Sequence, residues 1–178
     1  MIESCYWKEE LHRIALHLRR VSNPRRWSER AQCALERDIM LGFFILRRLI
    51  ELHKVSTLTR DNELSIFSYK HRGVKKVTLL NGHHVSELYN MEQEIPSRKK
   101  PSYVANQFMH AYTSFIFRDE TRNWSDVFVV SDYDREDCIW RVPVTEIRRI
   151  FRIAAEDYPH TVQMVFNEKK GDYEVETN

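Results

Sequence analysis

The densest run of ionisable side chains is Ser131-Asp132-Tyr133-Asp134-Arg135-Glu136-Asp137. Carboxylates at this spacing offer hard oxygen ligands of the kind that hold Mg²⁺. The same composition suits a solvated hairpin turn, in which Asp and Ser side chains cap the backbone, and a turn is the expectation. Histidines occur at 71 and as the pair His83–His84, beside turn signals and without any H-E-x-x-H unit. Neighbouring histidines on an extended chain face opposite ways, so surface or hydrogen-bonded roles are expected and no metal site is assigned.

Glu168-Lys169-Lys170 follows a β-rich segment, with Asp157 upstream. The spacing loosely resembles the D…ExK arrangement of restriction-type nucleases, in which carboxylates bind Mg²⁺ and a lysine orients or activates water. The match is a spacing and does not extend over any length of chain. A metal-dependent phosphodiesterase or nuclease would use Asp132, Asp134, Asp157, Glu168 and Lys170 in some combination, with the carboxylates converging. Mg²⁺ is expected only under that alternative, and otherwise no cofactor.

Asn106 and His110 stand four residues apart on a segment of helical period, with Gln107 beside them. Such a polar strip lines a small ligand pocket if it is buried, with His110 as acid/base or ligand contact. If exposed, it is a wetted helix face. Two basic groups remain. Arg19, Arg20, Arg25, Arg26 and Arg30 surround one interhelical loop that holds Trp27, and Arg98, Lys99 and Lys100 form another cluster. Arginine beside an aromatic suits phosphate contacts and base stacking. No Walker A loop, G-x-G-x-x-G, G-x-S-x-G, kinase set, zinc-finger spacing or RNP sequence is present. With 4 glycines in 178 residues, a backbone cradle for phosphates is not expected.

The elements that must position these groups follow from period. Trp7, Leu11, Ile14, Ala15 and Leu18 make one face of a helix over about Cys5 to Arg20, ended by Asn23–Pro24. Ser28 caps a longer helix to about His53. Its run from Ile39 to Leu46 is apolar nearly all round, which marks a central core helix, and its Gly42 suggests a close helix contact. Leu64–Tyr69 and Lys75–Leu80 read as two strands about a His71-Arg72-Gly73 turn, and Glu94 to Pro101 as a loop. Ser102 to Phe117 reads as a third helix, its last residues alternatively a strand. Asp126–Ser131 and Cys138–Val144 form a hairpin. Thr145 caps a helix over Glu146–Glu156, and Thr161–Phe166 with Tyr173–Val175 forms a last hairpin.

The expected fold is therefore α+β. N-terminal helices and a central helix pack on an antiparallel sheet that ends in a ββαββ unit. A single domain covers 1–178, helical over residues 1–56 and mixed over residues 57–178. Three scattered cysteines argue against a disulfide framework, and no apolar run reaches the roughly 20 residues of a membrane span. A cytoplasmic location without a membrane partner is expected. Residues 1–118 carry 20 Lys/Arg against 12 Asp/Glu, and residues 119–178 carry 8 against 14. This polarity favours a binding or accessory protein that engages nucleic acid or an acidic protein surface through its basic N-terminal region, with homo-oligomerisation a further possibility.

Overall fold

A computed structural model describes residues 3–22, 24, 26 and 28–178. The N-terminal stripe forms α1 (Ser4–His17), with Leu11, Ile14 and Ala15 buried. Helix α2 (Glu29–Glu51) starts as expected at Ser28, whose side chain accepts from the Ala31 N–H. Its buried residues include Leu35, Ile39, Phe43, Ile45, Leu46 and Leu49. Gly42 has the close contact its position suggested. A Cβ there would overlap the ring of Phe151, which itself lies edge-on to Phe43 at 4.9 Å. Asp38, 1% exposed, ties α2 to α1 through His17 at 2.8 Å and Arg13 at 3.6 Å, and its neighbour Arg37 on α2 pairs with it at 2.8 Å. Burial pushes its carboxyl up, but hydrogen bonds from Arg37 and His17 and the charge of Arg13 outweigh this and hold it below the usual carboxylate range.

After the short helix α3 (Thr57–Arg60) come strand β1 (Leu64–Lys70), the short helix α4 (Val85–Leu88), strand β2 (Ile95–Lys99), helix α5 (Pro101–Met109) and strand β3 (Ala111–Arg118). The chain continues through β4 (Trp124–Ser131), β5 (Cys138–Pro143), helix α6 (Val144–Glu156), β6 (Val162–Asn167) and β7 (Asp172–Thr177). Five strands form one antiparallel sheet in the order β2-β1-β5-β4-β3, and β6 and β7 form a separate ribbon. The fold is α+β with the expected β-β-α-β-β order at its end, the final pair standing outside the main sheet.

Four expectations change. Lys75–Leu80 is not a strand: Leu79 and Leu80 are 87% exposed, and β1 pairs instead with β2 and β5. Glu94–Pro101 is not a loop but largely edge strand β2, where Pro96 is tolerated because an edge has a free side. The third helix ends at Met109, and Ala111 begins a strand that pairs with β4. Thr145 lies inside α6, whose N-cap position is Pro143.

The sheet is buried on one face. Leu64, Ile66, Val127, Val129, Trp140 and Val142 pack with the helices in the main core. The opposite face is covered over Tyr69, Val130 and Ile139 by residues of the 77–91 segment. Beyond that cover, the register lines up Pro96, Phe67, Arg141, Phe128 and Phe115 in a single row across all five strands.

Candidate anion site

The β3–β4 turn carries the residues that sequence reasoning left out. Asp119 organises it: Oδ1 accepts from Thr121 N, Thr121 Oγ1 and Asn123 N, at 2.9, 2.6 and 3.1 Å. The Asn123 side chain, 7% exposed, then clips the turn to the chain leaving α1. Its Oδ1 accepts from Val21 N at 2.9 Å, and its Nδ2 donates to Val21 O at 3.3 Å. This amide stands in for a strand partner, and it draws together segments about a hundred residues apart. Arg20 locks the junction from outside, donating to Asp119 Oδ2 at 2.7 Å and Thr121 Oγ1 at 3.1 Å.

The junction gathers arginines. Arg26, Arg118, Arg122 and Asp119 line a recess of about 390 Å³. The Arg118 guanidinium lies over the Trp124 ring, 3.8 Å from its centroid, and burial lowers its pKa from the ordinary arginine value. Arg122 has φ 64°, the left-handed region that costs a non-glycine residue energy. Four arginines, counting Arg20, meet Asp119 and Glu120 here, so the locality is cationic. Arg19 and Arg30 are exposed nearby in the chain, while Arg25 and Trp27 lie outside the described residues. Among the described ion pairs, only Arg20–Asp119 joins an Arg or Lys of residues 1–118 to a carboxylate of 119–178. Among the described ion pairs, little of the charge division of the sequence is therefore neutralised within the fold.

The second basic cluster stays apart. Arg98, Lys99 and Lys100 belong to β2 and its end, at the sheet edge opposite β3, about 19 Å away by strand spacing. Lys99 Nζ sits over the rings of Tyr103 and Trp140, and Lys100 pairs with Asp61 at 2.8 Å.

The Asn106–His110 strip is exposed, with His110 as the C-cap of α5. Gln107 is buried and faces the acidic turn: Nε2 donates to Asp134 Oδ2 at 2.8 Å and Oε1 accepts from Ser131 N at 3.2 Å. Tyr103 Oη (2.9 Å) and Trp140 Nε1 (3.1 Å) donate to the same Asp134 oxygen. Asp134 thus fastens the β4–β5 turn to α5 and β5. The other members of the D…ExK pattern have separate partners. Asp132 pairs with Arg135 at 3.1 Å, and Lys170 with Glu174 at 2.8 Å. Glu168 is exposed. Asp157 Oδ2 accepts from Ser56 N and Oγ, and its backbone carbonyl takes the buried Lys8 ammonium. Among the described residues, no group of three or more His, Cys, Asp or Glu could hold a metal ion. The set that a nuclease of this type needs is not assembled.

A second concavity lies on the open sheet face, with a volume of about 420 Å³. Phe115, Phe117 and Phe128 form its floor, and His83, His84 and Glu87 belong to its rim. The two histidine rings meet edge-on at 4.1 Å, because the chain there turns where extended geometry was assumed. Next to it Arg141 is held between Asp126 (2.6 Å) and Glu94 (2.7 Å), so its charge is already paired.

The fold and its site thus define an α+β domain with an arginine-lined recess where the α1–α2 connection meets the β3–β4 turn. No family model, curated protein or solved structure matches the chain. Among the described residues no helix is long and apolar enough to cross a membrane.

Proposed function

We propose that this protein is a non-enzymatic binding or accessory protein that engages nucleic acid by its phosphates through the arginine recess. The observation that carries the reading is the convergence of Arg26, Arg118 and Arg122 on one cavity of about 390 Å³. Arginine suits this role because its planar fork gives paired hydrogen bonds to phosphate oxygens. The turn holding Arg118 and Arg122 is braced by Asp119 and Asn123, so the guanidinium groups are partly pre-organised. A cytoplasmic setting accords with three free cysteines, of which Cys138 is buried with its thiol pushed up to about 11 by that burial.

Fluorescence anisotropy with short labelled single-stranded and duplex oligonucleotides at low salt tests the reading. The Arg26→Glu/Arg122→Glu variant should bind roughly tenfold or more weakly. An Arg98→Glu/Lys100→Glu variant, altered at the far edge, should bind like the unaltered protein. Equal binding by both variants would remove the recess from the account. Poly-glutamate competing as well as the oligonucleotide would make an acidic protein the partner.

The Phe115–Phe117–Phe128 cleft supports a second reading, a small-ligand protein. Its size falls in the range of ligand pockets, and its aromatic floor and polar rim suit a flat apolar molecule with one hydrogen-bonding edge. Saturation-transfer NMR with aromatic fragments should detect binding that Phe117→Glu abolishes. Signals unchanged by that substitution would reject it.

A further inference from the structure

The β6–β7 ribbon projects from the body with one uncharged, largely apolar face. Cross-strand partners share a face of a sheet. The register Val162↔Thr177, Met164↔Val175 and Phe166↔Tyr173 therefore places these six residues on one side. Gln163↔Glu176, Val165↔Glu174 and Asn167↔Asp172 occupy the other, where Val165 is the one apolar exception. All four carboxylates of 161–178 belong to that polar side or to the turn. Among the described residues, the ribbon is anchored near its base, where Thr177 Oγ1 donates to Val55 O at 2.8 Å and Thr177 N to Thr57 Oγ1 at 3.1 Å. Arg60 also reaches Val175 O at 3.4 Å. Thr177 is buried at the base, 5% exposed, but the rest of the apolar face is open: Val162 is 54% exposed, Met164 63%, Phe166 51% and Tyr173 59%. A two-stranded ribbon is marginal in water by itself, and an amphipathic one gains by covering its apolar side.

We propose that the apolar face of β6–β7 docks against the same face of a second copy of this chain, forming a weak twofold dimer. Three observations select a second copy as the occupant. The face carries no charge, so two copies stacked face to face bury no carboxylate and turn both acidic sides to water. The face also tapers, with Phe166 and Tyr173 at the tip and Val162 and Thr177 at the base. A twofold antiparallel stack sets each bulky tip over the other copy's smaller, exposed Val162, the self-complementarity that an isologous interface requires. Leu58, 78% exposed beside the anchoring Thr57, adds apolar surface where the partner's tip arrives. Finally, the exposed apolar area is roughly 450 Å² per copy, counting half-exposed aromatics of about 150–250 Å² each, against about 800 Å² per partner in a standard stable interface. That area fits association in the micromolar range rather than an obligate dimer. An anionic membrane is a poorer occupant, because the ribbon's four carboxylates outnumber Lys169 and Lys170.

Sedimentation velocity across the micromolar range tests this. The unaltered chain should show a sedimentation coefficient rising from monomer to dimer. Met164→Glu/Phe166→Glu should stay monomeric with an unchanged far-ultraviolet circular dichroism spectrum. Leu79→Glu/Leu80→Glu, altered at a different exposed apolar pair, should still dimerise. A monomer at every concentration would overturn the proposal and leave the face to another partner. So would dimerisation that survives the ribbon substitutions or is lost through the Leu79/Leu80 pair instead.

Discussion

Asp134 and Arg122 illustrate what single side chains do in this protein and how differently each can be read in a sequence. Asp134 lies in the richest acidic run and invites a metal, yet one of its oxygens receives Tyr103, Gln107 and Trp140. Burial and this carboxylate together push the Tyr103 hydroxyl pKa upward, which keeps it a donor. Asp134→Ala leaves three donors without their acceptor, each a loss of about 1–3 kcal/mol if it stays buried and unsatisfied. Urea unfolding should show a net loss near 3 kcal/mol, with Asp134→Asn losing about half as much because an acceptor oxygen remains. A change of less than about 0.5 kcal/mol for Asp134→Ala would mean the network is unimportant. Arg122 drew no attention in the sequence, since one arginine between Thr121 and Asn123 has no pattern. Its significance comes from a left-handed backbone and from Asn123, whose pairing with Val21 is a contact across the whole chain. Such long-range contacts leave no local signal. The charge division drawn between residues 118 and 119 in fact runs through the middle of the site.

Elements whose identity rests on local period were readable. Helices α1 and α2 followed from apolar stripes and the Ser28 cap, and the β4–β5 and β6–β7 hairpins from polar turns between β-rich runs. Those decided by tertiary pairing were not. Strand β2 contains Pro96 and, near its end, basic residues that read locally as a loop and become a strand only because β1 offers an edge. The break at His110 has no proline or glycine to announce it, and β3 continues the aromatic run of α5 without a change in composition. Between helices, Gly42 offers a sharp test. At an exposed helix site Gly→Ala would stabilise by up to about 1 kcal/mol. Here the added methyl meets the ring of Phe151, which is fully buried and packed against Phe43. Overpacking of this kind costs about 1–3 kcal/mol, so Gly42→Ala should lower stability by about 1–2 kcal/mol in chemical denaturation. A stabilised variant would show that α2 and α6 are less tightly apposed than described.

At the scale of the molecule, the chain separates three surfaces. Arg26 of the recess shortly precedes α2 in the chain and Val55, which anchors the ribbon, shortly follows it, and α2 itself is about 34 Å long. The aromatic cleft occupies the open face of the sheet. Positive charge is in excess at the first surface, four arginines against Asp119 and Glu120, while the ribbon carries four acidic and two basic residues. Dimerisation through the ribbon would leave both recesses open and double the cationic ends available to one polyanion. The central claim is that the recess binds phosphates, and its most direct test is the salt dependence of oligonucleotide affinity. With three arginines engaged on a single strand, the logarithm of the association constant should fall with the logarithm of salt with a slope of about −2. Replacing Arg122 with Gln should reduce that slope by about 0.7. No binding at low salt, or a slope that Arg122→Gln leaves unchanged, would contradict it.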